Sequence, residues 1–193
     1  MLRALVYSKV EPLLNRAAKF SAEKKFTPDQ LTLAGLALNL FAGWIYASGL
    51  LFVAGLILLI AGLGDVLDGP LARLTGKASR FGAFLDSTVD RYSDFFIFGG
   101  VAYYFANEAS WGWFLVAMGI ILGAFLTSYT KARMEGMTLT CSVGIFERSE
   151  RILILALGSL VPPLFRLSLI VLLLGTHATA FQRIWFAKKS LSN

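Results

Sequence analysis

Residues 61–94 read AGLGDVLDGPLARLTGKASRFGAFLDSTVDRYSD, an apolar frame carrying five aspartates: Asp65, Asp68, Asp86, Asp90 and Asp94. Each would cost on the order of 2.5–3.5 kcal/mol at the centre of a bilayer on insertion scales. Toward the end of a helical bundle the penalty falls, but a cluster of one sign repels itself unless cations bind. Helical spacing groups these carboxylates. Asp65, Asp68, Gly69 and Ala72 stand at i, i+3, i+4 and i+7 on one helix face. Gly82, Asp86, Asp90 and Asp94 recur every four residues on the next. Facing stripes would bring two to four carboxylates to a pocket where Gly69, Ala72 and Gly82 let a ligand approach the backbone. Such all-oxygen donors suit a hard cation, Mg²⁺ or Mn²⁺. The stretch holds no histidine or cysteine, which argues against zinc. Arg73 offers a planar fork for a phosphate; its alternative role is an anchor at the helix end. Carboxylates, divalent metal and arginine together fit phosphoryl transfer, with a carboxylate left over as base.

Working outward, the rest of the chain has the composition of a membrane protein. Apolar residues make up 56% of its 193 positions and charged ones only 16%, which places it in a bilayer. A spanning helix needs about 20 mostly apolar residues, and six segments are candidates: 31–50, 51–74, 82–106, 111–134, 148–162 and 163–187, the fifth of them short and ending at Pro162-Pro163. The expected fold is all-α and integral to the membrane, with six transmembrane helices over 27–193. Before them, residues 1–26 place Leu2, Leu5, Val6, Val10, Leu13, Ala17 and Phe20 near helical spacing among basic residues, the pattern of an amphipathic interfacial helix. An ordinary packing helix is the alternative there. Thr27-Pro28-Asp29 reads as a helix start, with Thr27 as the N-cap. No internal repeat, low-complexity tract or linker divides the chain.

Of the eighteen basic residues, only Arg166 falls on one side when six helices are laid out in order. That asymmetry predicts cytoplasmic termini, and a cytoplasmic site in the cell membrane. It also accounts for the net charge of +6 without nucleic acid; membrane lipids and phosphorylated substrates are the expected partners. The single cysteine, Cys141, rules out an intrachain disulfide and reads as an unreactive loop thiol. The first long apolar run begins near Leu31, so no cleaved signal is expected. His177 reads as a packed or interfacial imidazole.

Written as a pattern, the central segment is Asp65-x2-Asp68-Gly69-x2-Ala72-Arg73-x8-Gly82-x3-Asp86-x3-Asp90. At every fixed position it resembles the signature of the CDP-alcohol phosphatidyltransferase family. The resemblance implies six transmembrane helices, an amphipathic amino-terminal helix and a homodimer. It implies further that Asp65, Asp68, Asp86 and Asp90 hold Mg²⁺ or Mn²⁺ in a two-metal site, and that Asp90 is also the base. Gly69, Ala72, Arg73 and Gly82 would line the site of a CDP-lipid, either CDP-diacylglycerol or CDP-dialkylglycerol, and CMP would leave. Asp94 lies outside the signature and reads as solvated or as a support to its neighbours.

Lys131, Arg133, Arg148, Arg151 and Arg183 form a basic rim suited to a small phosphorylated alcohol as acceptor; topology anchoring is the competing role. Ser128-Tyr129-Thr130-Lys131-Ala132-Arg133 and Glu147-Arg148-Ser149-Glu150-Arg151 are similar to segments of the phosphatidylinositol phosphate synthases and their archaeal-lipid relatives. Ser149 stands where those relatives carry proline. That resemblance implies inositol 1-phosphate as acceptor, with its phosphate on Lys131, Arg151 and Arg183, and with Arg133 and Arg148 as further candidates. Glycerol 3-phosphate is the rival acceptor. A cation-coupled transporter is the rival class, but it would place its carboxylates near the midplane and not beside Arg73, Lys77, Arg80 and Arg91.

Overall fold

The computed structural model describes residues 27–74, 76, 79–141 and 143–191, with side chains described except at 63–74. Six helices follow one another: α1 Pro28–Ala47, α2 Leu51–Leu74, α3 Arg80–Asn107, α4 Trp111–Glu135, α5 Arg148–Leu160 and α6 Pro162–Leu191. No strand occurs among the described residues. The expected interfacial helix over 1–26 lies outside them, as does Lys77.

Local chemistry sets the ends. Thr27 caps α1 through a reciprocal box with Gln30, its Oγ1 accepting from the Gln30 amide at 3.3 Å while the Gln30 side chain accepts from the Thr27 amide at 3.0 Å. Ser79 caps α3 through its side chain alone, Oγ accepting from the Gly82 amide at 2.9 Å. At the far end the connections are short, and Gly49 and Ala109 turn the chain with positive φ. Pro162-Pro163 closes α5 sooner than the sequence implied, because Val161 is extended before the proline pair. At 13 residues, α5 is roughly 20 Å long.

Each helix packs chiefly on two others, in the cyclic order α1, α3, α4, α6, α5, α2 and back to α1. The six therefore close a ring. α1 and α3 approach most tightly: a Cβ on Gly100 would collide with the Gly43 backbone, and one on Gly43 with the Phe96 carbonyl. Only small residues permit that approach. At the end where α1 finishes and α6 begins, Tyr46, Phe105 and Phe165 stack with centroids 6.1–6.2 Å apart, and Trp113 joins at 5.8 Å from Phe105. Beneath them the Tyr46 hydroxyl meets Ser159 Oγ at 2.6 Å. Ser159 donates to the Leu155 carbonyl, so Tyr46 supplies the proton.

Polarity is distributed opposite to that of a water-soluble bundle. Ser93, Asp94, Thr127, Arg151, Thr176, Thr179 and Arg183 are buried, whereas Phe41, Trp44, Ile60, Leu115, Leu122, Leu167 and Leu174 are exposed. An apolar exterior of this extent needs lipid around it. α1, α4 and α6 are each long and apolar enough to cross a membrane among the described residues, and α2 contributes the shorter apolar stretch Leu51–Gly62.

Candidate active site

Five helix ends meet on the face opposite the aromatic layer: the end of α2, the starts of α3 and α5, and the ends of α4 and α6. The start of α1 joins them, since a Cβ on Gly82 would lie 3.5 Å from Asp29 Oδ1. A cavity of about 380 Å³ opens here, lined by Asp90 of α3, Lys131 of α4, Arg148 and Arg151 of α5, Arg183 of α6 and Glu147 just before α5.

Two ion pairs cross the ring between α3 and α5, which run in the same direction. Asp90 Oδ1 accepts from Arg148 Nη1 at 2.8 Å, and one turn deeper Asp94 Oδ2 accepts from Arg151 Nη2 at 2.7 Å. The four-residue step on α3 thus matches the three-residue step on α5. Arg91 Nη2 donates to the other Asp90 oxygen at 3.2 Å, and Arg148 Nε lies 3.8 Å from Asp94 Oδ1. Depth separates the two rungs. Asp94 and Arg151 side chains are each 1% exposed, while Asp90 is 19% exposed and faces the cavity. The reading of Asp94 as solvated is therefore corrected: the interior offers it a guanidinium in place of water. Its continuation of the four-residue stripe was the available signal.

Arg183 is held on three sides. Its Nε donates to the Val143 carbonyl at 3.0 Å and Nη1 to the Thr127 carbonyl at 2.6 Å, while Nη2 lies 3.5 Å from Glu147 Oε1. The connection carrying Val143 reaches it because Gly144 adopts φ 131 and lacks a Cβ that would stand 2.7 Å from Nη2. Lys131 Nζ also approaches Glu147 Oε1, at 3.8 Å. Arg133, by contrast, is exposed on the last turn of α4 and does not line the cavity, because its position turns it away from the face that Lys131 presents. Glu147 lines the cavity without having been singled out in the sequence, as do Ser87, Thr127 and Glu135. It stands in a run of alternating charge, where neither spacing nor type distinguished it from Glu150.

Among the described residues no three carboxylate, imidazole or thiol groups converge as a metal site. Asp65, Asp68, Gly69, Ala72 and Arg73 lie on α2, where the backbone is helical and the side chains fall outside the described set. Asp86 is exposed one turn before Asp90 on α3. The donor chemistry fits a hard cation in type: Asp86 and Asp90 bring carboxylate oxygens to one helical face, and a cation there would displace the Arg148 and Arg91 guanidinium groups that now hold both Asp90 oxygens.

The family model described as CDP-alcohol phosphatidyltransferase matches residues 25–185. The archaetidylinositol phosphate synthase of Pyrococcus horikoshii is 37% identical over 184 residues, covering 95% of this chain and 95% of that protein. Its counterpart in Methanothermobacter thermautotrophicus is 32% identical over 194 residues, covering 98% and 93%. Among solved structures, the phosphatidylinositol phosphate synthase of Mycobacterium tuberculosis with CDP-DAG bound superimposes with a TM-score of 0.84 at 28% identity, covering 91% of this chain and 94% of that one. The same enzyme in complex with manganese and citrate gives a TM-score of 0.80, covering 90% and 88%.

Proposed function

We propose, from the premise that this chain belongs to the CDP-alcohol phosphatidyltransferase family, that it joins the lipid phosphate of a CDP-lipid to inositol 1-phosphate. The general reaction, transfer of a substituted phosphate group from a CDP-lipid to an alcohol with release of CMP, is that of the family. The specific acceptor is our reading. It is supported by one arrangement above all: Asp90 faces a cavity whose lining includes the cationic residues Lys131, Arg148, Arg151 and Arg183. A carboxylate opposite a basic wall suits an acceptor with a hydroxyl at one end and a phosphate at the other. The names of the archaeal and mycobacterial relatives favour inositol phosphate over glycerol 3-phosphate.

In this reading Asp90 takes the proton from the acceptor hydroxyl as its oxygen bonds to the lipid-side phosphorus, and the bond from that phosphorus to CMP breaks. Arg148 and Arg91 orient the carboxylate. Asp65, Asp68, Asp86 and Asp90 would hold two ions, Mg²⁺ or Mn²⁺. When bound, the metal supplies positive charge that neutralises the diphosphate and the departing CMP. Gly69, Ala72, Arg73 and Gly82 would accommodate the CDP portion. Lys131, Arg151 and Arg183 would bind the acceptor's phosphate, Arg151 from a position preset by Asp94 and Arg183 from one preset by two carbonyls. Arg148 lines the cavity beside them, whereas Arg133 stands apart.

The protein is integral to the membrane. Six crossings, both termini and the basic face in the cytoplasm, an interfacial helix over 1–26 ahead of the 27–193 domain, and a homodimer complete the proposal. The donor is CDP-diacylglycerol or CDP-dialkylglycerol. The test is CMP release by purified protein with each donor and with Mg²⁺ or Mn²⁺, offering inositol 1-phosphate, glycerol 3-phosphate, free inositol and serine. Metal-dependent release with inositol 1-phosphate is expected. Release with glycerol 3-phosphate alone would reassign the acceptor, and no release with any pairing would refute the proposal.

A further inference from the structure

Lys131 and Arg183 come from different helices and meet on one oxygen of this chain's own carboxylate. Glu147 Oε1 lies 3.8 Å from Lys131 Nζ and 3.5 Å from Arg183 Nη2, inside the same cavity as Asp90. Glu147 is the N-cap residue of α5, yet its side chain makes no capping hydrogen bond; it points to the two cations instead. We propose that Glu147 is a specificity-determining residue, an internal anion that holds the Lys131–Arg183 site until the phosphate of an acceptor displaces it. The inference rests on the reading of that basic pair as the phosphate site.

Charge and exposure carry the argument. Glu147 and Lys131 side chains are 30% and 41% exposed, so water screens their attraction and separating them costs little. A phosphate monoester brings about −1.5 to −2 charge and three acceptor oxygens at pH 7, against a single negative charge on the carboxylate. It therefore outcompetes Glu147 for the same two cations. A neutral polyol has no such group, and must leave the carboxylate in place. Removal of Glu147 from the pair does not dismantle the site, because Arg183 stays fixed by the Val143 and Thr127 carbonyls through Nε and Nη1. Nη2 is the nitrogen handed over. The deeper Asp94–Arg151 pair, at 1% exposure on both sides, is not exchangeable in this way.

The experiment uses the full chain in detergent or nanodiscs, with inorganic phosphate as a competitive probe. Glu147→Gln and Glu147→Ala both remove the charge and should both lower the KM of the phosphorylated acceptor and the inhibition constant of phosphate, by about threefold to fivefold. The KM of the CDP-lipid should stay where it is. Lys131→Ala, run alongside, should raise the acceptor KM. If Lys131→Ala raises it while neither Glu147 variant lowers either constant, the displacement idea is overturned and the phosphate site survives. If Lys131→Ala leaves the acceptor KM unchanged, the phosphate site itself is overturned.

Discussion

Asp94→Asn tests whether the deeper rung between α3 and α5 supports the site. The change keeps the size of the side chain and one acceptor oxygen but removes the negative charge facing Arg151. That guanidinium is 1% exposed and otherwise donates to the Phe146 carbonyl at 3.2 Å. Removing one partner of a buried ion pair costs about 3–5 kcal/mol, and the retained acceptor places this variant toward the lower figure. For a chain of this size such a loss corresponds to a fall in Tm of about 6–12 °C, measured by thermal unfolding in detergent. A companion variant, Asp94→Leu with Arg151→Met, removes both charges and should recover most of the lost Tm, since apolar replacement of a whole buried pair is close to neutral. It should nonetheless show a raised acceptor KM, because methionine at this position leaves the cavity one cation short. A Tm for Asp94→Asn within about 2 °C of the parent would refute the reasoning, because a desolvated arginine cannot lose its counter-charge at so small a cost.

Asp90→Asn should reduce transfer by at least about 100-fold, the usual contribution of a general base, while CDP-lipid binding by equilibrium titration persists; near-parental turnover would remove Asp90 from that role. Gly100→Ala places a methyl group against the Gly43 backbone and should destabilise the bundle by about 1–3 kcal/mol through overpacking. The same thermal assay reads it, and an undiminished Tm would mean that α1 and α3 separate more readily than their contact implies.

The helix framework was legible because membrane helices announce themselves by length and by punctuation. Thr27-Pro28 starts α1 where capping chemistry required, and the expected 51–74 and 111–134 segments appear as Leu51–Leu74 and Trp111–Glu135. The aspartate stripe was legible for a similar reason: periodicity of four is a local property. The partners were less so. Asp94 meets Arg151 across 57 positions of sequence, and Glu147 meets Lys131 and Arg183 through a ring closure that no local pattern encodes. Arg183 itself was identified as a basic rim residue, but its three-way fixation depends on Gly144 folding the α4–α5 connection back onto α6. Charge type can be read along a chain, whereas the identity of the counter-charge is a property of the closed bundle.

The aromatic layer at the opposite end has a consequence for energetics at the level of the whole membrane. A ring of helices with serine, threonine, aspartate and arginine inside it would dissipate ion gradients if it were open, but Leu58, Phe98, Val101, Leu155 and Leu172 fill its middle. Tyr46, Phe105, Phe165 and Trp113 continue that packing to the far end, with the phenol proton committed to Ser159. In the proposed topology, with the cavity mouth at the cytoplasmic surface, reactants entering and leaving there would cross none of the transmembrane voltage, which is worth about 2.3 kcal/mol per elementary charge at 100 mV. Catalysis in that topology would be electrically silent: turnover should be indifferent to whether the membrane is energised, and the bilayer would keep its insulation around a charged reaction.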